Sequence, residues 1–600
     1  MAKILKASWD FSPLFKSDND HNIEKERKTA VKKSYEFIKK WKNNSEYLSK
    51  PDTLKIALDE YNEWLTSWGT NAKENYYFDL RFALNQNDAA IKGKVNKSEE
   101  LSNKILNDIQ FFELNLAKIS PGTQTMFLNY KPLSSYKHFL KRLFTQSKYI
   151  LSDAEEKILN LKTIPAHANW VRMVSGLLSK EEKLVLNKES KKELKNFEEI
   201  VGLMENTNKK VRDTAAKAFN SILEKHTDVV ENEFNSVLLN KKINDELRGY
   251  DRPDKSRHLN DDVESEVVDL LVSTVTDNFD IAKDYYKLKA RLFGVEKLEY
   301  HERNVEYGKL DKKYTFKKGS NIISKVFSDL DLEFKSIFET FLVNGNIDVF
   351  PKKGKRGGAF CAYGLKTLPV YVLLNWSDML SDVRTLAHEM GHAINDELVR
   401  NKQNALNFGT PTSTAEVAST FMEDFVIQEL MQKENDELKL SLMMSKLNQD
   451  VSSIFRQVAF YNFESEIHLK FREMGYLSKE EIGKIFQKHM ATYMGPAIEQ
   501  SEGSQNWWTY VSHFRSFFYV YSYAMGLLIS KSLQSKVKND HKFVKKVKVF
   551  LSTGLSMSPK GIFNELGVDI TDKAFWEEGL KEIKSLLKET EELAIKLHKI

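Results

Sequence analysis

Through most of this chain apolar residues return at every third or fourth position, and that spacing limits the fold more than any other feature. It runs from about Ile23 to Phe197 and again from Glu198 to beyond Leu292, broken only by short polar turns. The closing segment LKEIKSLLKETEELAIKLHKI puts Leu580, Ile583, Leu587, Ala594 and Leu597 on one side of such a helix. Ser152, followed three residues later by Glu155, has the pattern of a reciprocal helix cap. The pattern predicts a mainly α protein. Its 600 residues suffice for two large lobes, and a boundary near residue 200 would give residues 1–198 as an N-terminal helical lobe and 199–600 as a second domain.

The texture changes between Asn344 and Asn375. GNIDVFPKKGKRGGAFCAYGLKTLPVYVLLN is dotted with glycine, then β-branched and aromatic, which predicts a small sheet leading into the next helix. PVYVLLN suits a buried strand, and GGAFCAYG, where glycines permit close backbone approach, suits an edge. Cys361 is the only cysteine, so neither an intrachain disulfide nor a cysteine-built zinc site can form, as in proteins of a reducing cytosol. It reads as a buried thiol rather than a nucleophile, having no histidine nearby in sequence.

Composition excludes several roles. A formal charge of +5 over the whole chain leaves no electrostatic footprint for nucleic acid. The lysine-rich KSLQSKVKNDHKFVKKVKVF reads as the wet face of a helix. MAKILKASWDFSPLF lacks the apolar core of a signal peptide, and FFYVYSYAMGLLIS, from Phe517, is too short and too hydroxylated to span a bilayer. A cytoplasmic protein without membrane or nucleic-acid partners is expected.

The helix after the sheet carries TLAHEMGHAIN. Its expected cap is Ser377 and its buried stripe Val383, Ala387, Met390 and Ile394. At 3.6 residues per turn, His388 and His392 project from one face and can reach a single ion. Glu389, turned by about 100°, can approach a water on that ion without binding the metal itself. This is the spacing of the HExxH zinc-hydrolase helix. A catalytic zinc wants a third protein ligand and an open position. FGTPTSTAEVASTFMEDFV offers Glu416 on a second helix, sharing a face with Ser419, Thr420 and Glu423, the last a candidate to orient a ligand histidine.

HEMGH, AEVASTF, GKRGGAFC, VLLN and the distant AIEQSEGSQNWWTYVSHFRSFFYVYSYAMG together resemble the oligoendopeptidase F family, relatives of thimet oligopeptidase. The quoted motifs cover about Asn346 to Gly526, with weaker agreement reaching back to WDFSPLF. The resemblance implies two helical lobes flanking a deep substrate channel, with 199–600 as the metallopeptidase domain. It implies one Zn²⁺ per chain on His388, His392 and Glu416, with Glu389 as general base. It further implies that His513 and Tyr523, with Tyr519 third, face the zinc and the substrate; sequence alone sets Tyr519 and Tyr523 four apart on one helical face. The edge strand Gly357–Tyr363 could then pair with an extended peptide backbone, making Gly358, Ala359 and Phe360 substrate-binding candidates. Two departures stand out. Asn395 replaces a histidine found in many members, and HERNVEYGKLDKKYTF matches poorly.

The expected function is a zinc-dependent oligoendopeptidase that cleaves internal bonds of short unfolded peptides by attack of a zinc-bound water. One alternative is a metallo-carboxypeptidase or dipeptidase, with Lys355 or Arg356 capturing a peptide terminus. Another is a noncatalytic helical peptide-binding scaffold. Cleavage preference and oligomeric state are not legible in the sequence.

Overall fold

The three-and-four spacing becomes helix almost throughout, and the architecture is mainly α with small sheets. The structure, a computed structural model, describes residues 5–308 and 312–600; part of HERNVEYGKLDKKYTF, residues 309–311, lies outside them, as do residues 1–4 of the N-terminal segment. Two compact units form, each from three stretches of chain. The first takes Met1–Lys148, Asp311–Leu430 and Lys536–Val568; the second takes Tyr149–Leu310, Met431–Ser535 and Asp569–Ile600. This partition differs from a single cut near residue 200.

In the first unit, helices His21–Lys42 and Pro51–Ser67 bury Phe37, Trp41, Tyr61 and Trp64 against Phe112 and Phe127. A neighbouring cluster joins Trp9, Phe15, Tyr77 and Phe78 to the small sheet through Tyr371 and Leu373. The Trp9 indole N–H donates to the Val372 carbonyl at 2.9 Å, so WDFSPLF is tied to that sheet. The strands are β1 (Ile347–Asp348), β2 (Phe360–Ala362) and β3 (Tyr371–Leu373), in the order β1-β3-β2. β3 is fully buried, parallel to β1 and antiparallel to β2, with Cys361 opposite Val372. β2 is therefore an outer strand of this sheet. Helix α1 (Leu380–Lys402) follows, then α2 (Ala415–Lys433).

In the second unit a 40-residue helix, Lys209–Arg248, packs against much of the rest, including α3 (Arg456–Met474). The unit also contains α4 (Tyr521–Asn539) as far as Ser535. The expected cap at Ser152 is present with its reciprocal bond from Glu155. In the C-terminal helix Lys573–Lys596, Leu580, Ile583, Leu587 and Ala594 are buried, while Leu597 is the cap residue beyond it. Besides a short parallel pairing of Leu298–Glu299 with Ile498–Glu499, a further element departs from expectation: Glu182–Leu186 and Lys192–Asn196 form an antiparallel hairpin where helix was expected. Its strands are rich in lysine and glutamate and bury only Val185, so no alternation betrays them. Packing on the long helix overrides their weak propensity. Among the described residues no helix is long and apolar enough to cross a membrane.

Candidate active site

α1 starts later than its sequence suggests. Ser377 does not cap it; Met379 holds that position, and the Asp382 carboxylate accepts from the N–H groups of both Ser377 and Met379 at 2.8 Å. The intervening Asp378 adopts a left-handed conformation (φ 64°), which turns the chain into the helix. From there the periodicity holds: Val383, Ala387, Met390 and Ile394 are fully buried, and His388 and His392 flank that stripe with rings 5.1 Å apart.

α2 crosses close to α1 at Gly391. A Cβ on Gly391 would lie 2.5 Å from Ser419 Cα and 2.6 Å from the Ala418 carbonyl oxygen, both backbone atoms. This approach carries Glu416 to the histidines, and the spacing of HEMGH alone does not reveal it. Gly391→Ala is expected to cost at least about 1–3 kcal/mol of stability by overpacking and to weaken metal binding. Thermal unfolding and zinc content measured on one sample check both.

The three candidate ligands converge. Donor atoms of His388, His392 and Glu416 all lie within 4.8 Å of one another. Glu416 Oε2 is 3.4 Å from His388 Nε2 and 3.8 Å from His392 Nε2. Four-coordinate zinc with bonds of about 2.0–2.2 Å spaces its donors about 3.3–3.6 Å apart, so this set fits it. The Ser419 hydroxyl donates to Glu416 Oε2 at 3.0 Å and fixes the carboxylate.

Behind His388 stands Glu423. Its Oε2 accepts from His388 Nδ1 at 3.1 Å, and its Oε1 accepts from Arg384 at 3.1 and 3.2 Å. Nδ1 is thereby the donor, and Nε2 is left to face Glu416. Arg384 escaped the sequence reading; its one signal is that it lies a helical turn before His388. The departure at Asn395 has a structural role, since its Nδ2 donates to the Leu551 carbonyl at 2.5 Å and its Oδ1 accepts from Thr410 at 3.0 Å. It ties the ligand helix to the loop before α2 and to the unit's last stretch.

The electrostatics couple the two histidines to the carboxylates around them. Burial opposes the charge on His388, but the Glu416 and Glu423 carboxylates outweigh it and hold its pKa at about 10. Burial and the adjoining His388 charge push His392 down to about 4. Burial raises Glu416, yet its bond to His388 and the charge of both histidines bring it down to about 2. Glu389 is pushed up to about 7, chiefly by burial, with His388 pulling the other way. A carboxyl poised there can both accept and return a proton near neutrality.

The candidate peptide-binding strand is only partly strand. Phe360 lies in β2, whereas Gly358 and Ala359 precede it; Gly358 is left-handed (φ 74°) and its carbonyl accepts from Asn375 at 2.8 Å. The Phe360 ring packs on Trp9 at 6.2 Å, leaving backbone as what this segment could offer a ligand. The Cys361 thiol faces Asp396 at 3.7 Å and its pKa is raised by burial, in keeping with an inert thiol. Lys355 is buried and paired with Asp348 at 2.7 Å, so it is not free to capture a peptide terminus. Arg356 stacks over the Phe360 ring.

His513, Tyr519 and Tyr523 form a second group, within the second unit. Tyr519 and Tyr523 do not share a helix as expected, because α4 begins at Tyr521. Phe517 and Phe518 are both left-handed (φ 48° and 58°), a costly conformation for residues with a Cβ. They bend the chain back and bring Tyr519 onto His513, ring centroids 5.3 Å apart, with the phenol hydrogen-bonded to Nδ1. α3 holds the bend: Glu464 accepts from Phe518 N–H at 3.0 Å, and the His468 ring lies 4.7 Å from that of Phe518. Tyr523 completes the group at 5.8 Å from Tyr519 and 6.0 Å from His513. Burial and then the charge of Arg456 lower the His513 pKa, favouring the neutral ring.

Another set with metal-ligand chemistry, Asp213, His301 and Glu302, lies in the departing HERNVEYGKLDKKYTF region and near it. Arg212 pairs with Glu302 at 2.6 Å and Lys209 with Asp213 at 3.0 Å, so its negative charge is already met by cations.

Comparison with known proteins agrees with the geometry. A family profile described as Peptidase family M3 matches residues 202–582, and one described as Oligopeptidase F matches residues 115–175. An oligoendopeptidase F homolog of Borreliella burgdorferi is 26% identical, with 98% of each chain covered. One from Lactococcus lactis is 24% identical over the same shares. The crystal structure of oligoendopeptidase-F from Enterococcus faecium superposes with a TM-score of 0.70 at 19% identity, covering 96% of this chain and 98% of that one. At that identity the superposition speaks for the fold alone.

Proposed function

We propose, from the premise that this chain belongs to peptidase family M3 and is a peptidase, that it is a zinc-dependent oligoendopeptidase cleaving internal bonds of short unfolded peptides. The observation that carries the reading is the convergence of His388, His392 and Glu416 on α1 and α2, with donors within 4.8 Å. Zinc, when bound by these three, supplies a Lewis acid that activates water and polarises the scissile carbonyl. Glu389 takes the proton from the attacking water and passes it to the departing amine nitrogen. Glu423, itself held by Arg384, keeps His388 in the tautomer that leaves Nε2 free for the metal.

His513 and Tyr523, with Tyr519 bonded to His513, are assigned the oxygen that becomes negative in the tetrahedral intermediate; this role follows the family resemblance. A neutral imidazole N–H and phenol O–H are both able to donate to it. Backbone of Gly358, Ala359 and Phe360 is assigned to the extended substrate. The catalytic domain is taken as 199–600, bracketing the matched 202–582, with 1–198 as the N-terminal lobe. A lone free cysteine suits a cytoplasmic setting.

A peptide blocked at both ends tests the reading. Mass spectrometry is expected to find internal cleavage that a chelator abolishes and added zinc restores. Cleavage restricted to peptides with a free end would favour the carboxypeptidase or dipeptidase alternative, and metal-independent cleavage would refute the zinc mechanism.

A further inference from the structure

α3 is entered through a turn of π-helix, Val451–Phe455, and its first residue is Arg456. Such wide turns recur at functional positions because they re-aim the side chains that follow. Arg456 and Phe460, four apart, project from one face. The Phe460 ring sits 6.2 Å from the His513 imidazole, so Arg456 is about one helical turn from the side chain that backs His513.

Half-buried Arg456 has neither an ion pair nor a hydrogen bond among the described residues, and its Nε is buried without an acceptor. Nearby conditions repeat the imbalance. The charges of Arg456 and Arg303 act on the same four groups, Glu205, Tyr286, Tyr300 and Tyr493, so both guanidiniums lie within electrostatic reach of them. Arg303, 6% exposed, lies between the rings of Tyr300 and Trp507, each 4.4 Å away, and its Nε also lacks an acceptor. The fully buried Tyr493 hydroxyl faces the Tyr286 phenol. Two nearby carboxylates leave the deficit standing. Glu205 forms no ion pair with either arginine among the described residues, and Glu306 accepts from Ser445 at 3.1 Å.

Buried donors without acceptors are costly, about 1–3 kcal/mol each. Their missing partner must be an acceptor, and a planar guanidinium is best matched by a carboxylate. We propose that Arg456 is a specificity residue that binds a carboxylate of the peptide substrate, with Arg303 reinforcing the field behind it. The carboxylate is either the free C-terminus or an acidic side chain. This assignment rests on the oligopeptidase reading, in which His513 faces the substrate. A peptidase that holds its substrate by backbone would thereby select peptides by where their negative charge lies.

The test is a set of peptides of one sequence prepared with a C-terminal acid or amide, and with an Asp or Asn placed near that end. Each is cleaved by wild type, Arg456→Gln and Arg456→Lys, with zinc content and circular dichroism as controls. Wild type is expected to favour one carboxylate form by about 10–100-fold in kcat/KM, mainly through KM, as for hydrogen bonds to a charged group. Acid over amide identifies the terminus; Asp over Asn identifies a side chain. Arg456→Gln should bring the ratio to about one, and Arg456→Lys should restore part of it. The proposal is overturned if wild type shows neither ratio, or if Arg456→Gln lowers all four peptides equally. Hydrolysis of the amide peptides by wild type upholds the oligopeptidase reading in either case. To keep the test independent of turnover, acid and amide peptides are also titrated calorimetrically into zinc-loaded Glu389→Gln and Glu389→Gln/Arg456→Gln; equal affinities in Glu389→Gln overturn the terminal form.

Discussion

Glu389→Gln is expected to retain its zinc and lose turnover, with kcat falling about 10²–10⁴-fold or more. The amide matches the carboxylate in size, and Glu389 is no member of the converging ligand set, so the fold and the ion should both survive. What disappears is a group that can receive a proton. The pKa near 7 that burial gives Glu389 matters here, because glutamine cannot titrate at any working pH. Zinc content by metal analysis and single-turnover hydrolysis of a blocked peptide check the two halves separately. A variant that keeps both zinc and activity would remove Glu389 from the mechanism.

Glu416→Ala acts on the other side of that division. It leaves two histidines on one helix and takes away the only ligand that α2 contributes. If the roughly 10–16 kcal/mol of a tight zinc site is shared over four positions, one ligand is worth about 3–4 kcal/mol, or about 10²–10³-fold in affinity. Activity should vanish with the metal and return only partly at high zinc. Competition with a fluorescent chelator measures the loss. The same assay on the wild type carries a pH signature. Since His388 is held at about 10 in the metal-free site, coordination at neutral pH must expel its proton. Apparent zinc affinity should therefore fall about tenfold for each unit by which the pH drops below that value. A flat profile would show that His388 is already neutral.

The pairing of the two candidate histidines was legible because a helix fixes its own geometry: once TLAHEMGHAIN is helical, His388 and His392 must share a face. Glu416 could be named from its helical context, and Glu423 from the same face. What was illegible came from contacts between distant stretches. Nothing local marks Gly391 as the point where α2 touches α1, or Arg384 as the anchor of Glu423. The start of α1 was misplaced because Ser377 looks like a cap, while Asp382 reaches back to Met379 and a left-handed Asp378 moves the boundary. Tyr519 was drawn onto a helix because left-handed Phe517 and Phe518 are a tertiary choice, held by Glu464 and His468. Two consecutive aromatic residues give no warning of such a bend.

The first unit is completed late. Asn395, on the helix that carries HEMGH, bonds to the carbonyl of Leu551, which is synthesised 156 positions later. The earlier stretches must wait, tethered through the whole intervening part of the second unit, before that latch can close. Long-range closures of this kind are slow steps in folding. A consequence is temporal: the helix bearing His388 and His392 goes unbraced until the chain past residue 551 has been made, so cutting power arrives late.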